Sequence, residues 1–229
     1  MALTLISSMA TKALLAELGQ LAQSRLNVSV DILSIGGVDA AKRVQGGELF
    51  DIVVLASDAM NKLASAGHLL AGSLVDLVRS DVAMAIPLGR PRVTLGNEEE
   101  LKNYVLAQKR LSYSTGPSGV ALSRLFERWG LQETLAERIV TPPPGVPVAS
   151  LVARGEVDLG FQQTSEMLHV DGIQLLGALP EDVAITTTFT AGLGAGCRAV
   201  GTASDVLAFW SSVECEAAKL AQGMRSARH

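Results

Sequence analysis

Aromatic residues are scarce in this 229-residue chain, where Phe, Trp and Tyr together make up 4% of the sequence. Basic residues are outnumbered by acidic ones, 19 against 23, which gives a formal net charge of −4. Nucleic-acid-binding surfaces need basic residues to neutralise phosphates and aromatic side chains on which bases stack. The composition therefore speaks against a nucleic-acid partner.

Cysteine and histidine are also rare, with two cysteines and three histidines in the chain. Cys197 and Cys215 lack the spacing of metal ligands, and we expect two buried thiols, with a single disulfide as the alternative. The histidines, His68, His169 and His229, are too scattered to suggest a metal site. We expect neither a metal ion nor a cofactor.

Long apolar runs are missing as well, since none reaches the ~20 residues that a membrane-spanning helix needs. No membrane insertion is expected. The opening residues, MALTLISS, are interpreted as a strand from the third residue on rather than as a secretory signal. If an export signal has been removed from the chain, we expect a periplasmic protein; otherwise we expect a cytoplasmic one.

What is present is an alternation of apolar strands and amphipathic helices. The segment DIVVLA, residues 51–56, is apolar after its first residue, which is typical of a central strand in a parallel sheet. Further strands are predicted at residues 3–6, 28–33, 82–87, 111–113, 157–161, 175–176 and 185–192. Helices are predicted at residues 11–25, 59–66, 98–108, 118–129, 148–154 and 204–224, and another begins at Gly36-Gly37 and carries Ala40, Ala41 and Val44. This order predicts a parallel α/β architecture, and the length favours two such units.

Polar residues follow four of the predicted strands, at the points where helices begin. They are Ser7 and Ser8, residues 34–37, residues 114–119 and residues 162–165. Each turn combines hydroxyl or amide groups with unpaired backbone N–H groups at a helix N-terminus, which carries partial positive charge. Such turns, meeting at one point, bind an anion without lysine or arginine. For one turn alone, capping is the simpler explanation, but the four together favour a shared anion site.

Familiar catalytic motifs are missing from the sequence, including GxSxG, the P-loop, GxGxxG and HExxH. Asp39 and Glu166 lie near the predicted turns, where each could act as a general base or only favour a helix dipole as a first-turn carboxylate. Tyr113 could donate a hydrogen bond or a proton, or could simply pack. The sequence leaves these alternatives open.

Four longer segments stand in an order that is more specific than any one of them. They are GGVDAAKRVQGGELFDIVVLASDAMNKLASAGHLLAGSLVDLVRSDVAMAIP, STGPSGVALSRLFERWGL, VASLVARGEVDLGFQQTSEML and VLAFWSSVECEAAKLAQGM. In this order the segments resemble periplasmic molybdate-binding proteins, the anion receptors of ABC transporters, over nearly the whole chain. The resemblance implies an ABC transporter permease as a partner.

The resemblance also implies a type II periplasmic-binding-protein fold. In that fold two α/β lobes, each a mostly parallel sheet flanked by helices, are joined by two crossover strands. The first lobe would consist of residues 1–79 and 186–229, and the second of residues 80–185. A ligand in the cleft would be trapped when the lobes close about the hinge.

Matching the sequence to this family places ligand contacts on both lobes. They are Ser7 or Ser8, Gly36, Gly37, Val38, Ser114, Gly116, Ser118, Gly119, Gln162, Gln163 and Ser165. Gln163 stands where the family has a tyrosine, and Val38 and Asp39 stand where it has Ser-Gly. Because a tetrahedral dianion only accepts hydrogen bonds, an Asp39 carboxylate facing it would cost binding free energy. We therefore expect a solute-binding protein for a small anion, an organic carboxylate rather than molybdate.

The same receptor-like family includes aconitate isomerase, so the resemblance allows an enzyme as the alternative. Such an enzyme would move a double bond in a small polycarboxylate by a 1,3-proton shift, with helix N-termini stabilising an enolate-like intermediate. The base would be Asp39, Tyr113 or Glu166. A third hypothesis for the function is a regulatory ligand-binding domain that is separated from its partner.

Overall fold

The chain folds into two α/β units in a computed structural model that describes residues 2–143 and 145–227. The first unit combines the chain before Asp81 with the chain after Thr187, and the second is Asp81–Thr187. The lobe boundaries expected from the sequence, after residues 79 and 185, remain a prediction. Residues 1, 144, 228 and 229, which the expected lobes include, lie outside the described residues.

Strands and helices alternate through the described residues, as the predicted α/β class requires. The strands are β1 (Leu3–Ser8), β2 (Val30–Ile35), β3 (Ile52–Ala56), β4 (Val75–Pro87), β5 (Leu111–Tyr113), β6 (Leu159–Gln163), β7 (Ile173–Ala178), β8 (Thr186–Leu193) and β9 (Met224–Ser226). The helices are α1 (Lys12–Leu26), α2 (Gly37–Gln45), α3 (Ser57–Ser65), α4 (Glu98–Ala107), α5 (Pro117–Arg128), α6 (Gln132–Ala136), α7 (Val148–Ala153), α8 (Thr164–Met167), α9 (Val200–Trp210) and α10 (Glu216–Ala221).

The sheet of the first unit has β1 between β2 and β3, all parallel, and β3 pairs antiparallel with β8. The strand β3, IVVLA, is apolar throughout because helices cover both faces of the sheet. Leu5 packs on the face that α1 and α9 cover, whereas Ile6 packs on the face that α2 and α3 cover. The indole N–H of buried Trp210 donates to the carbonyl of Leu18 at 3.0 Å, which fixes α9 against α1.

In the second unit, β6 pairs in parallel with β5 and antiparallel with β4, and β7 also pairs antiparallel with β4. Helix α5 packs on one face of β6, where the rings of Phe126 and Phe161 meet edge to face at 6.0 Å. Helix α7 packs on the other face, against Gly160. A Cβ at Gly160 would lie 2.5 Å from Val152 Cγ2 and 2.8 Å from Val148 Cγ1, so the absence of a side chain lets α7 approach closely.

Two strands cross the boundary between the units, since β4 contains Ser80 and Asp81 and β8 contains Thr187 and Thr188. They are the crossover strands of the predicted fold class. The sequence predicted only the apolar second half of β4, residues 82–87. The first half, with charged Asp76 and Arg79, was missed because its pairing with β9 is a tertiary contact.

The predicted C-terminal helix, residues 204–224, is not one continuous helix. Helix α9 ends at Trp210, a 3-10 turn at Val213–Cys215 leads into α10, and the chain then forms β9. The hydroxyl of Ser211 bonds back to the carbonyl of Leu207 at 2.8 Å, which competes with continuation of the helix. Gly223 adopts a φ of 65° after α10, a conformation that turns the chain into β9.

Both cysteines are free thiols, and a disulfide between them is not formed. Cys215 is buried, as expected, whereas Cys197 is only partly buried. Among residues 2–143 and 145–227, no helix combines the length and the apolar character that crossing a membrane requires.

Gly160→Ala is expected to lower the free energy of unfolding by about 1–3 kcal/mol, because the new methyl group would overlap two stiff valine side chains. Gly201→Ala in α9 is the control, since a Cβ there meets no atom within 4 Å. That variant should be more stable by about 0.5–1 kcal/mol. Urea unfolding followed by circular dichroism measures both changes, and unaltered stability in Gly160→Ala would contradict the close approach of α7.

Candidate functional site

The serines at the end of β1 have different surroundings. Ser7 is fully buried, and its hydroxyl lies 2.9 Å from the hydroxyl of Ser34. Ser8 is 7% exposed, and among the described residues its hydroxyl has no hydrogen-bond partner. A buried hydroxyl without a partner costs free energy, so Ser8 rather than Ser7 has a group free to bind a ligand.

The Gly-Gly turn brings the start of α2 next to Ser8. A Cβ at Gly37 would lie 3.4 Å from the Cβ of Ser8, so the two residues are in contact distance. Gly36 is the N-cap of α2, and its carbonyl accepts a hydrogen bond from the N–H of Ala40 at 2.8 Å. Val38, which follows in the helix, is 50% exposed. The predicted contacts of the first unit therefore lie together.

Asp39 changes the electrostatics of this turn. It is exposed and lies in the first turn of α2, with Oδ2 3.4 Å from where a Cβ on Gly36 would be. The carboxylate thus folds back over the N-terminus of its own helix, where it interacts favourably with the helix dipole. Its negative charge disfavours an anion bound at the same helix end.

In the second unit, a tight turn joins β5 to α5. A Cβ at Gly119 would lie 1.6 Å from the carbonyl oxygen of Ser114, so only glycine fits there. The hydroxyls of Ser114 and Ser118 lie 2.9 Å apart, and Ser118 is 7% exposed. Gly116 caps α5 without a side chain, and the first turn, all of it described, contains no acidic residue. Unlike α2, this helix keeps its N-terminal positive potential for a ligand.

The two glutamines that end β6 differ in the same way as the two serines of β1. Gln162 Oε1 accepts the N–H of Ala149 at 3.1 Å, and its Nε2 donates to Glu166 Oε1 at 2.9 Å, so both ends of this amide are occupied. Gln163 Nε2 donates to Thr187 Oγ1 at 2.7 Å, while its buried Oε1 has no partner among the described residues.

Glu166, which accepts the hydrogen bond from Gln162, has a carboxyl group whose pKa is shifted. Burial raises its pKa from an ordinary 4.5 to about 7, and the hydrogen bond from Gln162 opposes the rise in part. A carboxyl group that titrates near neutral pH can take up or release a proton there, as a general base requires. Of the other two predicted bases, Asp39 is exposed and Tyr113 packs edge to face on Phe126 at 6.0 Å.

The remaining predicted contact, Ser165, lies partly buried in α8 beside Glu166. Sequence reasoning missed Ala149 and Thr187, which hold the amides of Gln162 and Gln163 from 13 and 24 positions away in the chain. A run of threonines at residues 186–188 was the only signal for the second contact. Within the part of the chain that the structure describes, no group of three or more His, Cys, Asp or Glu side chains could hold a metal ion.

Comparison with known proteins shows one family and one relative whose sequences match this chain. The family described as bacterial extracellular solute-binding protein matches residues 3–225. Aconitate isomerase from a Pseudomonas species is 33% identical over 194 residues, which cover 82% of this chain and 74% of that protein.

Solved structures resemble the fold over almost its full length. The periplasmic molybdate-binding protein of Azotobacter vinelandii has a TM-score of 0.83 and 18% identity, covering 99% of this chain and 100% of that one. The sulfate-binding protein SubI of Mycobacterium tuberculosis has a TM-score of 0.78 and 16% identity, covering 99% of this chain and 87% of that one. These matches confirm the predicted periplasmic-binding-protein-like fold class.

Glu166→Gln is expected to change how stability depends on pH. Because the folded-state pKa of about 7 exceeds 4.5, the folded protein binds more protons between these values, and it loses stability as the pH rises through them. Glutamine cannot titrate and still accepts the hydrogen bond from Gln162. The variant should therefore match the wild type near pH 4 and exceed it by about 1–3 kcal/mol at pH 8.

Urea unfolding at pH 4, 6 and 8 measures this difference. Glu127→Gln, which replaces an exposed carboxyl group on α5, is the matched control. A stability difference between Glu166→Gln and the wild type that stays constant over this range would contradict the raised pKa of the Glu166 carboxyl group.

Proposed function

Because the chain belongs to the family of bacterial extracellular solute-binding proteins, we propose that it binds a small organic anion with more than one carboxylate group. The observation that supports this most directly is the turn before α5. There, the helix N-terminus, which no side chain caps, and the hydroxyls of Ser114 and Ser118, one of which donates to the other, offer neutral hydrogen-bond donors. Neutral donors of this kind bind carboxylate and other oxyanions in water-excluded sites.

Acceptor groups near the other predicted contacts support an organic acid over a tetrahedral oxyanion. Ionised carboxylates, molybdate and sulfate all present only acceptor oxygens near neutral pH, but an organic acid can also carry a hydroxyl group that donates a hydrogen bond. Here Asp39 places a carboxylate at the start of α2, and Gln163 has a buried acceptor oxygen to satisfy. The 33% identical relative is named for aconitate, a tricarboxylate, which agrees with this ligand class.

The description of the family as extracellular and the resemblance of the sequence to periplasmic molybdate-binding proteins support an extracellular or periplasmic location. They also support delivery of the ligand to an ABC transporter permease. Detection of the native protein in the periplasmic fraction of its host would test the location. Recovery in the cytoplasmic fraction alone would overturn it.

Thermal-shift screening and calorimetry test the ligand class with citrate, aconitate, tricarballylate, molybdate and sulfate. We expect the tricarboxylates to raise the melting temperature and the oxyanions to leave it unchanged. Ser118→Ala should weaken binding of the best tricarboxylate by about 1–2 kcal/mol, because one buried donor is lost.

Ser123→Ala, on the same helix beyond its first turn, is the control and should bind normally. A shift with molybdate but with no carboxylate would overturn the ligand class. Unchanged affinity in Ser118→Ala would show that the turn is only structural.

A second candidate function is isomerisation of the bound acid, and the position of Glu166 supports it. The carboxyl group has a pKa of about 7 and is oriented by Gln162, whose own orientation is fixed by Ala149. A base of this kind could take a proton from a CH₂ carbon next to a carboxylate and return it at the far end of the three-carbon allylic unit. The double bond moves, and no other reactant is consumed.

Deuterium exchange into aconitate, followed by NMR in deuterated water, tests this candidate. Wild-type protein should exchange the CH₂ protons, and Glu166→Gln should slow exchange by at least about 100-fold while aconitate binding is retained. Asp39→Asn and Tyr113→Phe are the controls and should remain active. Absence of exchange in the wild type would exclude the isomerase and leave the binding function intact.

A further inference from the structure

Gln163 carries an acceptor that nothing in the described part of the chain satisfies. The residue ends β6 and is 3% exposed, and its Oε1 is buried without a hydrogen-bond partner. A carbonyl oxygen has two lone pairs and no proton, so it can be satisfied only by a donor. In folded proteins a buried polar atom of this kind is nearly always hydrogen bonded, by water or a ligand where the chain supplies nothing.

The surroundings of Gln163 hold its amide in place. Its Nε2 donates to Thr187 Oγ1 on β8 at 2.7 Å. The next residue, Thr164, donates to the carbonyl of Asp81 on β4 at 2.8 Å, and Thr186 on β8 donates to Asp81 Oδ1 at 2.6 Å. Three side-chain hydrogen bonds thus connect the end of β6 and both crossover strands within the second unit. The amide of Gln163 is therefore held in place and is not the tip of a mobile side chain.

We propose that Gln163 Oε1 accepts a hydrogen bond from a hydroxyl group of the ligand, so that the protein selects hydroxy acids over the same acids without the hydroxyl. The inference rests on the proposed binding of polycarboxylates and specifies which of them fit. A carboxylate facing this oxygen would bring two acceptors together, and a hydrogen in place of the hydroxyl would leave Oε1 unpaired. Sites built around a polar group discriminate strongly against ligands that cannot pair with it.

The competing arrangement is a rotated amide. If the Gln163 amide turned by 180°, the hydroxyl of Thr187 would donate to Oε1 and Nε2 would be free. The site would then offer a donor and favour a carboxylate over a hydroxyl at this position. The two arrangements predict opposite ligand preferences, so binding measurements distinguish them.

The effect of the hydroxyl group on binding can be measured with two pairs of acids that differ only in this group. Citrate and tricarballylate carry the same three carboxylates, and malate and succinate the same two, with the hydroxyl present only in the first of each pair. Calorimetry at pH 7.5 should show the wild type binding each hydroxy acid at least about tenfold more tightly than its partner.

Gln163→Met keeps the length of the side chain and removes both ends of the amide, so the ratio within each pair should fall to about one. Thr187→Val removes the group that holds Nε2 and should reduce the ratio without replacing Gln163. Gln108→Met is the control. This other buried glutamine donates to the carbonyl of Tyr104, four positions away, and its replacement should leave the ratio unchanged. Circular dichroism confirms that each variant is folded.

Equal wild-type affinities within each pair, or tighter binding of the acids without the hydroxyl, would overturn the inference and leave the proposed function standing. A hydroxyl preference that survives in Gln163→Met would overturn it as well. Binding of none of the four acids would overturn the inference, and it would overturn the proposed function as well if aconitate also fails to bind. Because aconitate has no hydroxyl group, a strong hydroxyl preference would also favour the binding function over the isomerase.

Discussion

Gly119 lies so close to the carbonyl oxygen of Ser114 that no side chain fits between them, and the candidate site of the second unit depends on this approach. The contact sets the first turn of α5 against the end of β5. It thereby brings the hydroxyls of Ser114 and Ser118 to 2.9 Å from each other beside an uncapped helix N-terminus. In the first unit, Gly37 lies beside Ser8 in a similar way. Glycine at a strand-to-helix turn lets backbone donors and hydroxyls share one small volume.

The two helix N-termini nevertheless differ in charge. Helix α2 carries Asp39 over its own first turn, whereas α5 has no acidic residue in that position. The dipole of α2 is therefore partly compensated by the protein, and that of α5 is left for a ligand. Within the second unit, the free N-terminus of α5, the buried acceptor of Gln163 and the protonatable Glu166 are the reason why we propose a ligand that offers both carboxylates and a hydrogen-bond donor. A purely oxyanionic ligand would leave the acceptors unpaired.

Continuous apolar segments were the part of the fold that local patterns predicted well. The strand at residues 51–56 agrees with the structure to within a residue, because burial on both faces imposes an apolar run. The strand at Leu111–Tyr113 agrees as well, although it contains the buried Ser112. The first half of β4 and the whole of β9 were missed. They pair with each other although they are distant in the chain, so the ladder stabilises them and their own sequences carry little strand signal.

The sequence by itself determined the alternation of strands and helices, the polar turns at the strand ends and the family resemblance, since all three are patterns of neighbouring residues. Only the tertiary structure decided which polar side chains of each turn lack a hydrogen-bond partner within the described residues. Ser7 is bonded to Ser34, 27 positions away, which leaves Ser8 unpartnered. Gln162 is held by Ala149, which leaves Gln163 with the free oxygen and Glu166 with a pKa near 7. Hydrogen-bond partners and burial come from residues that only folding brings together, and a linear pattern does not contain them.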